Sequence, residues 1–371
     1  VTEGVTVGFH APRPGSHSGV ADYSATLLSA LRRLGVVESA GAAADIDLYQ
    51  LGNNRLHKEI YARALKRPGV AVLHDGVMHH FMLGTLSHDD YIAEFVYNYG
   101  EWRRGLGEEL WLGRARSAFD PRYFHFPMLR RIAESARAVI VHNPGAAAMA
   151  RDHGAAHVHV IPHFFEPEEP VDALDAARFR EKIDVPPGAT LFGVFGYLRE
   201  PKRVLPTITA FRKLHAVRPA TALLLAGEAV SGDLDRLLQF EGAHPGIRRL
   251  GHLSEREFRV AAAAVDCCVN LRYPAAGETS GIAIRLMGMG KPTIISDNQE
   301  NSEIPAAAVL RVTPGVAEAA ELFEHMVLVT EFPRIGREIG NVAHLHISEH
   351  HALETVARQY WEVLCGVCQE T

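Results

Sequence analysis

The chain has only 4 cysteines in 371 residues, placed as Cys267-Cys268 and Cys365-x-x-Cys368. A single C-x-x-C without a second ligand pair is a weak zinc signal, and all four read as structural. The 21 histidines are scattered and show no H-E-x-x-H spacing, so no metal is expected. Long apolar runs are missing as well. None approaches the roughly 18 to 20 residues that cross a bilayer, and no charged n-region precedes an apolar h-region. The expectation is a soluble, cytoplasmic protein. A formal charge of -6 leaves no broad basic surface, which excludes a general nucleic-acid binder.

What is present is a large apolar fraction, 47%, in a chain long enough for two domains. Short apolar runs alternate with longer helical patterns, the mark of parallel sheets covered by helices, so the fold class is α/β. Val5 to Phe9, Ile46 to Leu51, Val70 to Leu73, Ala138 to Val141 and Val158 to Ile161 read as strands of a first domain, 1–163. The stretch 164–187 is rich in Pro, Glu and Asp, shows no periodicity and suits an interdomain linker. The pattern restarts in 188–349, with strands at Leu191 to Phe195, Thr221 to Leu225, Ile247 to Leu250, Cys267 to Leu271 and Thr293 to Ser296. A last helix, about 350–371, is placed to pack back on the first domain. Two such domains facing a central cleft would bind ligands beyond the carboxyl ends of their strands.

The densest signal is Gly277-Glu278-Thr279-Ser280-Gly281, followed by an apolar helical stretch to Met289, a stop at Gly290 and a buried strand. A helix opening on small residues offers free N–H groups and a positive dipole end to a phosphate. Glu278 would be repelled by that phosphate and is suited instead to accepting hydrogen bonds from neighbouring hydroxyls. Phosphate beside polyol points to a nucleotide sugar.

Several segments, in this order, resemble the retaining glycosyltransferases of family 4, in a bacterial branch with a GETSG block. They are Ser18-Gly19-Val20-Ala21-Asp22-Tyr23-Ser24, Val72-Leu73-His74-Asp75 with His79-His80, Val141-His142-Asn143, Phe195 through Arg203, Asn270-Leu271-Arg272-Tyr273-Pro274, and the block through Pro292. The resemblance implies the GT-B fold, two Rossmann-like domains with parallel sheets facing a central cleft, acceptor on the first and nucleotide-sugar donor on the second. It implies transfer of a sugar to an acceptor hydroxyl with retained configuration, without metal or cofactor. Two departures stand out: Leu286 occupies the place of the family's second Glu, and Tyr197 stands where many relatives have an Arg. Arg199 or Arg203 is then expected to supply the missing charge, and Arg285 either faces phosphate or caps a surface.

By the same resemblance Lys202 and Arg203 hold the leaving diphosphate, with Thr279, Ser280, Gly281 and Ile282 offering backbone N–H groups and Gly19 allowing close backbone approach. His74 lies at the reacting carbon with Glu278 on the sugar hydroxyls, and Gly251-His252-Leu253 meets the nucleobase. Asp22, Tyr23 and Asp75 are acceptor-side residues. The acceptor is a glycan, a lipid-linked glycan or a small-molecule glycoside. Segment 79–126 mixes Trp102, Trp111, Phe119, Tyr123, Phe124 and Phe126 with five arginines, which fits either a peripheral membrane or acceptor surface or a packed helical insertion. Competing readings of the whole are a sugar-nucleotide epimerase and a non-catalytic nucleotide-sugar scaffold.

Overall fold

The apolar runs form two all-parallel six-stranded sheets in the computed structural model, which describes residues 5–13, 15–16, 18–38 and 44–369. Pro14 and His17, between the first strand and the Ser18-Gly19 segment, lie outside the described residues. Contacts divide the chain into two compact units, Val1–Phe164 with Pro274–Thr279 and His351–Thr371, and Phe165–Tyr273 with Ser280–His350.

In the first unit the strands are β1 (Thr6–His10), β2 (Val37–Glu38), β3 (Ile46–Leu51), β4 (Val70–Leu73), β5 (Ala138–Val141) and β6 (Val158–Val160), in the order β2-β1-β3-β4-β5-β6. β3, β4 and β5 are buried throughout, as strands covered on both faces must be. Alternation divides their side chains. Leu48, Val70, Val72 and Ile140 meet Leu27 and Leu31 of helix Gly19–Arg33 and Val356 and Tyr360 of helix Leu353–Gln369. Leu51, Ala71, Leu73 and Val141 point the other way, toward Phe81, Phe95 and Ala147. The C-terminal helix thus belongs to the first unit, tied by Tyr23 Oη to Tyr360 Oη at 3.1 Å.

The second unit has β7 (Thr190–Phe195), β8 (Thr221–Ala226), β9 (Ile247–Leu250), β10 (Cys267–Asn270), β11 (Thr293–Ser296) and β12 (Leu310–Val312), in the order β12-β11-β10-β7-β8-β9. Strand order reverses between β7 and β10 here and between β1 and β3 in the first unit. These reversals are the places where a doubly wound sheet opens a crevice at its carboxyl edge.

Three features differ from the sequence reading, and a fourth bears on the alternatives it left open for segment 79–126. The segment 164–187 carries a helix, Ala173–Lys182, started by Asp172, whose carboxylate accepts from Leu174 N at 2.9 Å. None of its residues is fully buried, so there was no apolar stripe to read. β2 and β12 escaped notice because two- and three-residue edge strands carry no period. The six residues Pro274–Thr279 group with the first unit although they lie within 188–349. In segment 79–126, Phe81, Tyr91, Phe95 and Tyr123 are packed core residues, whereas Trp102 is 78% and Leu112 79% exposed. No helix among the described residues is long and apolar enough to cross a membrane.

Helix Pro333–His350 crosses the second unit through Gly336 and Gly340, one turn apart. A Cβ on Gly340 would lie 2.1 Å from the carbonyl oxygen of Gly290, which cannot yield, whereas on Gly336 it would meet nothing nearer than 3.5 Å. Urea unfolding should therefore give opposite signs: Gly336→Ala raises stability by up to about 1 kcal/mol through helix propensity, and Gly340→Ala lowers it by about 1–3 kcal/mol through overpacking.

Candidate functional site

At the reversal in the second sheet, the chain leaves β7 at Gly196, whose φ of +78° is one that glycine adopts freely. It then returns through a short turn that ends at Lys202. Lys202 is only 8% exposed, and its Nζ donates to Phe195 O at 2.6 Å. The same ammonium lies 3.0 Å from the position of a Cβ on Gly196, with Ile282 at 3.5 Å. Leaving β10, Tyr273 N donates to Pro201 O at 2.8 Å, which ties the two crevice loops together. Helix Gly281–Gly288 opens here, its N-cap Ser280 accepting from Ala283 N at 3.3 Å. Arg272 leans on the same cap, Nη2 reaching Ser280 Oγ at 3.4 Å. Arg272 was noted in the sequence only as part of a resemblance. Its place at the end of β10, one loop before the helix, was the signal that could have singled it out.

Glu278 and Thr279 belong to the first unit, where their loop is seated at three points. Val77 N donates to Ala276 O at 2.9 Å, and a Cβ on Gly277, at φ +69°, would come within 2.6 Å of Gly76 Cα. Asn143 Nδ2 donates to Gly277 O at 3.0 Å and to Thr279 Oγ1 at 2.9 Å. Thr279 Oγ1 in turn donates to His142 O at 3.3 Å.

His74 follows β4, and both of its ring nitrogens are engaged. Nδ1 lies 3.2 Å from His142 Nε2, and Nε2 lies 2.7 Å from Gln50 Oε1. His142 Nδ1 donates to Ile161 O at 3.0 Å, so in a neutral ring its Nε2 carries the lone pair and His74 Nδ1–H donates to it. His74 Nε2 then also carries a lone pair. The neutral chain is complete when Gln50 turns its amide to present Nε2–H, the group that in the opposite orientation is buried without a partner. Burial, then the imidazoles of His142, His163 and His57, holds His74 well below the ordinary histidine value. A ring so bound is not poised as a general base near neutral pH.

Other expected residues have quieter surroundings. Tyr23 is a core side chain, ring-packed on His74, His142, His163 and Phe164. Arg203 takes a left-handed backbone conformation and is held bidentately by buried Glu318, Nε to Oε1 at 2.9 Å and to Oε2 at 3.0 Å. Its charge is already matched. Arg285 pairs with Glu168 and Glu255 over the ring of Phe258, and so caps a surface. Leu286 is 1% exposed among Phe195, Cys268 and Val265. Asp75 accepts from Asn53 N at 2.7 Å, Asp22 is exposed in the first turn of its helix, and exposed Gly19 would meet nothing within 4 Å if it bore a Cβ. Gly251 and His252 are exposed after β9, with Leu253 half-buried before the Ser254 cap.

No protein-family model and no curated protein sequence matches the chain. Solved structures do. Anabaena HepE, solved in complex with UDP-glucose, gives a TM-score of 0.65 at 16% identity over 97% of this chain and 99% of that one. Sucrose-phosphate synthase from Thermosynechococcus elongatus gives 0.68 at 15% over 99% and 100%. WaaG, a glycosyltransferase involved in lipopolysaccharide biosynthesis, gives 0.60 at 14% over 98% and 100%. The chain has the GT-B fold. At these identities it is the architecture that is shared. Within the GT-B frame, the reversal at β7 and β10 carries the cationic crevice, and the carboxyl ends of β4 and β5 carry the histidine chain.

Buried neutral histidines make stability depend on acid. Burial lowers His142 to about 4 and His79, bonded to Phe126 O and Tyr91 Oη, to about 3. The unfolded chain takes up these protons near pH 6.5 and the folded one does not, so stability is flat above that value and falls as pH drops toward 4. The slope should reach about 1.4 kcal/mol per pH unit for each group, about 3 for the two. Urea midpoints between pH 7 and 4.5 test this, with a shallower fall expected for His79→Gln; an unchanged slope in that variant would remove His79 as a source.

Proposed function

We propose that this protein is a retaining glycosyltransferase that moves a sugar from a nucleoside-diphosphate sugar to the hydroxyl of a glycan, a lipid-linked glycan or a small-molecule glycoside. The observation that carries the reading is the crevice at β7 and β10, where buried Lys202, Arg272 and the open N-terminus of helix Gly281–Gly288 converge. Ammonium, guanidinium and free N–H groups together suit a diphosphate, and their value grows as negative charge develops on the leaving group. In this reading Lys202 and Arg272 hold the phosphates with the amides of Gly281 and Ile282. The exposed cation Arg199 supplies the further charge assigned by sequence to it or to Arg203. Glu278 accepts from the sugar hydroxyls, and the backbone of Gly251-His252-Leu253 holds the base. HepE, solved with UDP-glucose on the same fold, makes that compound the first donor to test.

Retention follows if the acceptor hydroxyl attacks from the face that the phosphate leaves, giving its proton to a phosphate oxygen. The new C–O bond forms as the anomeric C–O bond to phosphate breaks. No protein base is required, which agrees with His74 having both ring nitrogens engaged. The positive charge that the leaving diphosphate needs comes from the protein, so the scheme requires no metal or cofactor.

Calorimetry with UDP, GDP, ADP, dTDP and CDP, followed by turnover of the matching sugar nucleotides, tests the reading. Lys202→Met should weaken the preferred nucleotide about 10- to 100-fold. Glu278→Gln should leave that affinity within about twofold and lower kcat about 100-fold. Binding of no nucleotide would sink the reading. Tight binding with neither transfer nor hydrolysis in any acceptor screen would make the protein a nucleotide-sugar scaffold.

A further inference from the structure

We infer that His142 and Asn143 are a positioning pair that fixes both groups facing the sugar, Asn143 by clamping the loop of Glu278 and His142 by setting the plane and tautomer of His74. This rests on the transfer reading for what Glu278 and His74 do, but the clamp itself is read from bonds within the first unit. Neither residue carried a role in the sequence reading.

The two side chains leave the end of β5 in succession and are nearly sealed from solvent, at 6% and 2% exposure. Asn143 spends its whole amide. Oδ1 accepts from Ala146 N at 2.8 Å, capping helix Pro144–Asp152, while Nδ2 gives its two protons to Gly277 O and Thr279 Oγ1, the residues on either side of Glu278. An acceptor at one end and two donors at the other is a set that asparagine has and aspartate lacks. A plain N-cap needs only the acceptor, so aspartate would serve the helix equally well. What the second end of the amide adds is the grip on the loop. Glycine at both 76 and 277 lets the backbones close to the distance at which Nδ2 reaches its targets.

His142 acts through a ring nitrogen. With Nδ1–H given to Ile161 O, Nε2 can only accept, and this directs the proton of His74 to Nδ1. The partner that orients a histidine determines which of its nitrogens is protonated. The same residue's carbonyl accepts from Thr279 Oγ1, so one peptide reaches both halves of the arrangement.

The test separates the clamp from the helix cap and from nucleotide binding. Asn143→Asp keeps the acceptor for Ala146 N and loses both donors; His142→Gln keeps an acceptor near the place of Nε2, and His142→Leu removes it. Amide hydrogen exchange at residues 277–279 should be at least about tenfold faster in Asn143→Asp, beyond any change across the helix Pro144–Asp152, with UDP affinity kept. Turnover should fall about 100-fold in kcat with little change in donor KM, as a misplaced reacting group demands. The 15N shifts of the His74 ring should report Nδ1–H in the wild type and in His142→Gln, and a mixture of tautomers in His142→Leu. His142→Gln should also recover most of the kcat that His142→Leu loses. Loop exchange as slow as in the wild type, or an unmoved His74 tautomer in His142→Leu, overturns the inference. Should the wild type bind no nucleotide, the transfer reading falls, and the exchange and tautomer measurements still decide whether the pair positions these groups.

Discussion

The close approach of Gly277 to Gly76 is the constraint on which the candidate chemistry depends. In the transfer reading, a loop carrying a carboxylate beside a phosphate would be drawn in two directions: toward solvent by hydration, and away from phosphate by charge. The loop of Glu278 is seated by backbone contact where two side chains are absent and by the bonds from Val77 and Asn143. The segment grouped with the first unit ends at Thr279, and Ser280 caps the helix of the second. The single peptide bond between Thr279 and Ser280 therefore joins the loop that carries Glu278 to the cap of the helix.

A second constraint is the use of cations. Many arginines in the second unit are already consumed by the fold: Arg203 by Glu318, Arg285 by Glu168 and Glu255, Arg180 by Asp266 and the carbonyls around it. Lys291 likewise donates to Ala263 O and Val265 O beneath the sheet. Lys202 and Arg272 differ in where their charged ends lie. Both sit at the carboxyl ends of the two strands that flank the reversal, next to a helix start. In the transfer reading, position rather than residue type separates a phosphate ligand from a structural ion pair, since Lys202 Nζ is held on Phe195 O and Arg272 Nη1 on Leu271 O at the carboxyl ends of β7 and β10.

This explains which parts of the molecule the sequence revealed. The strands from Ile46 to Leu51, Val70 to Leu73, Ala138 to Val141 and Thr293 to Ser296 are seen at their expected bounds, because strands buried on both faces are dominated by apolar residues, without interruption in Val70 to Leu73 and Ala138 to Val141. The helix opening at Gly281 was legible from the small residues that precede it, whereas Lys202 was singled out by resemblance. Arg203 was not legible as an ion-pair residue. It neighbours Lys202 in sequence, but its partner Glu318 lies 115 positions away, and no local pattern announces such a pairing. Tyr23 was misleading in the same way: it sits beside a promising loop, yet its hydroxyl is directed to Tyr360, 337 positions distant. Asn143 shows the reverse, an unremarkable cap residue whose second function appears only when Gly277, 134 positions on, is brought to it.

The burial of Leu286 constrains how a nucleoside could be recognised. Helix Gly281–Gly288 turns Ala283, Ile284, Leu286 and Met287 inward, so a carboxylate at 286 would be buried against Phe195 and Val265 with nothing to accept from. The side of the helix that remains near solvent carries Arg285, already bonded to two glutamates. Neither residue can present an acceptor to a ribose. The groups left at that edge of the sheet are the backbone of Gly251 and His252 and the loop after β8, where the carboxylate of Glu228 is exposed. In the transfer reading, the acceptor for a ribose then belongs to those loops rather than to helix Gly281–Gly288, while the sugar end falls to Glu278, whose loop is seated by Val77 and Asn143.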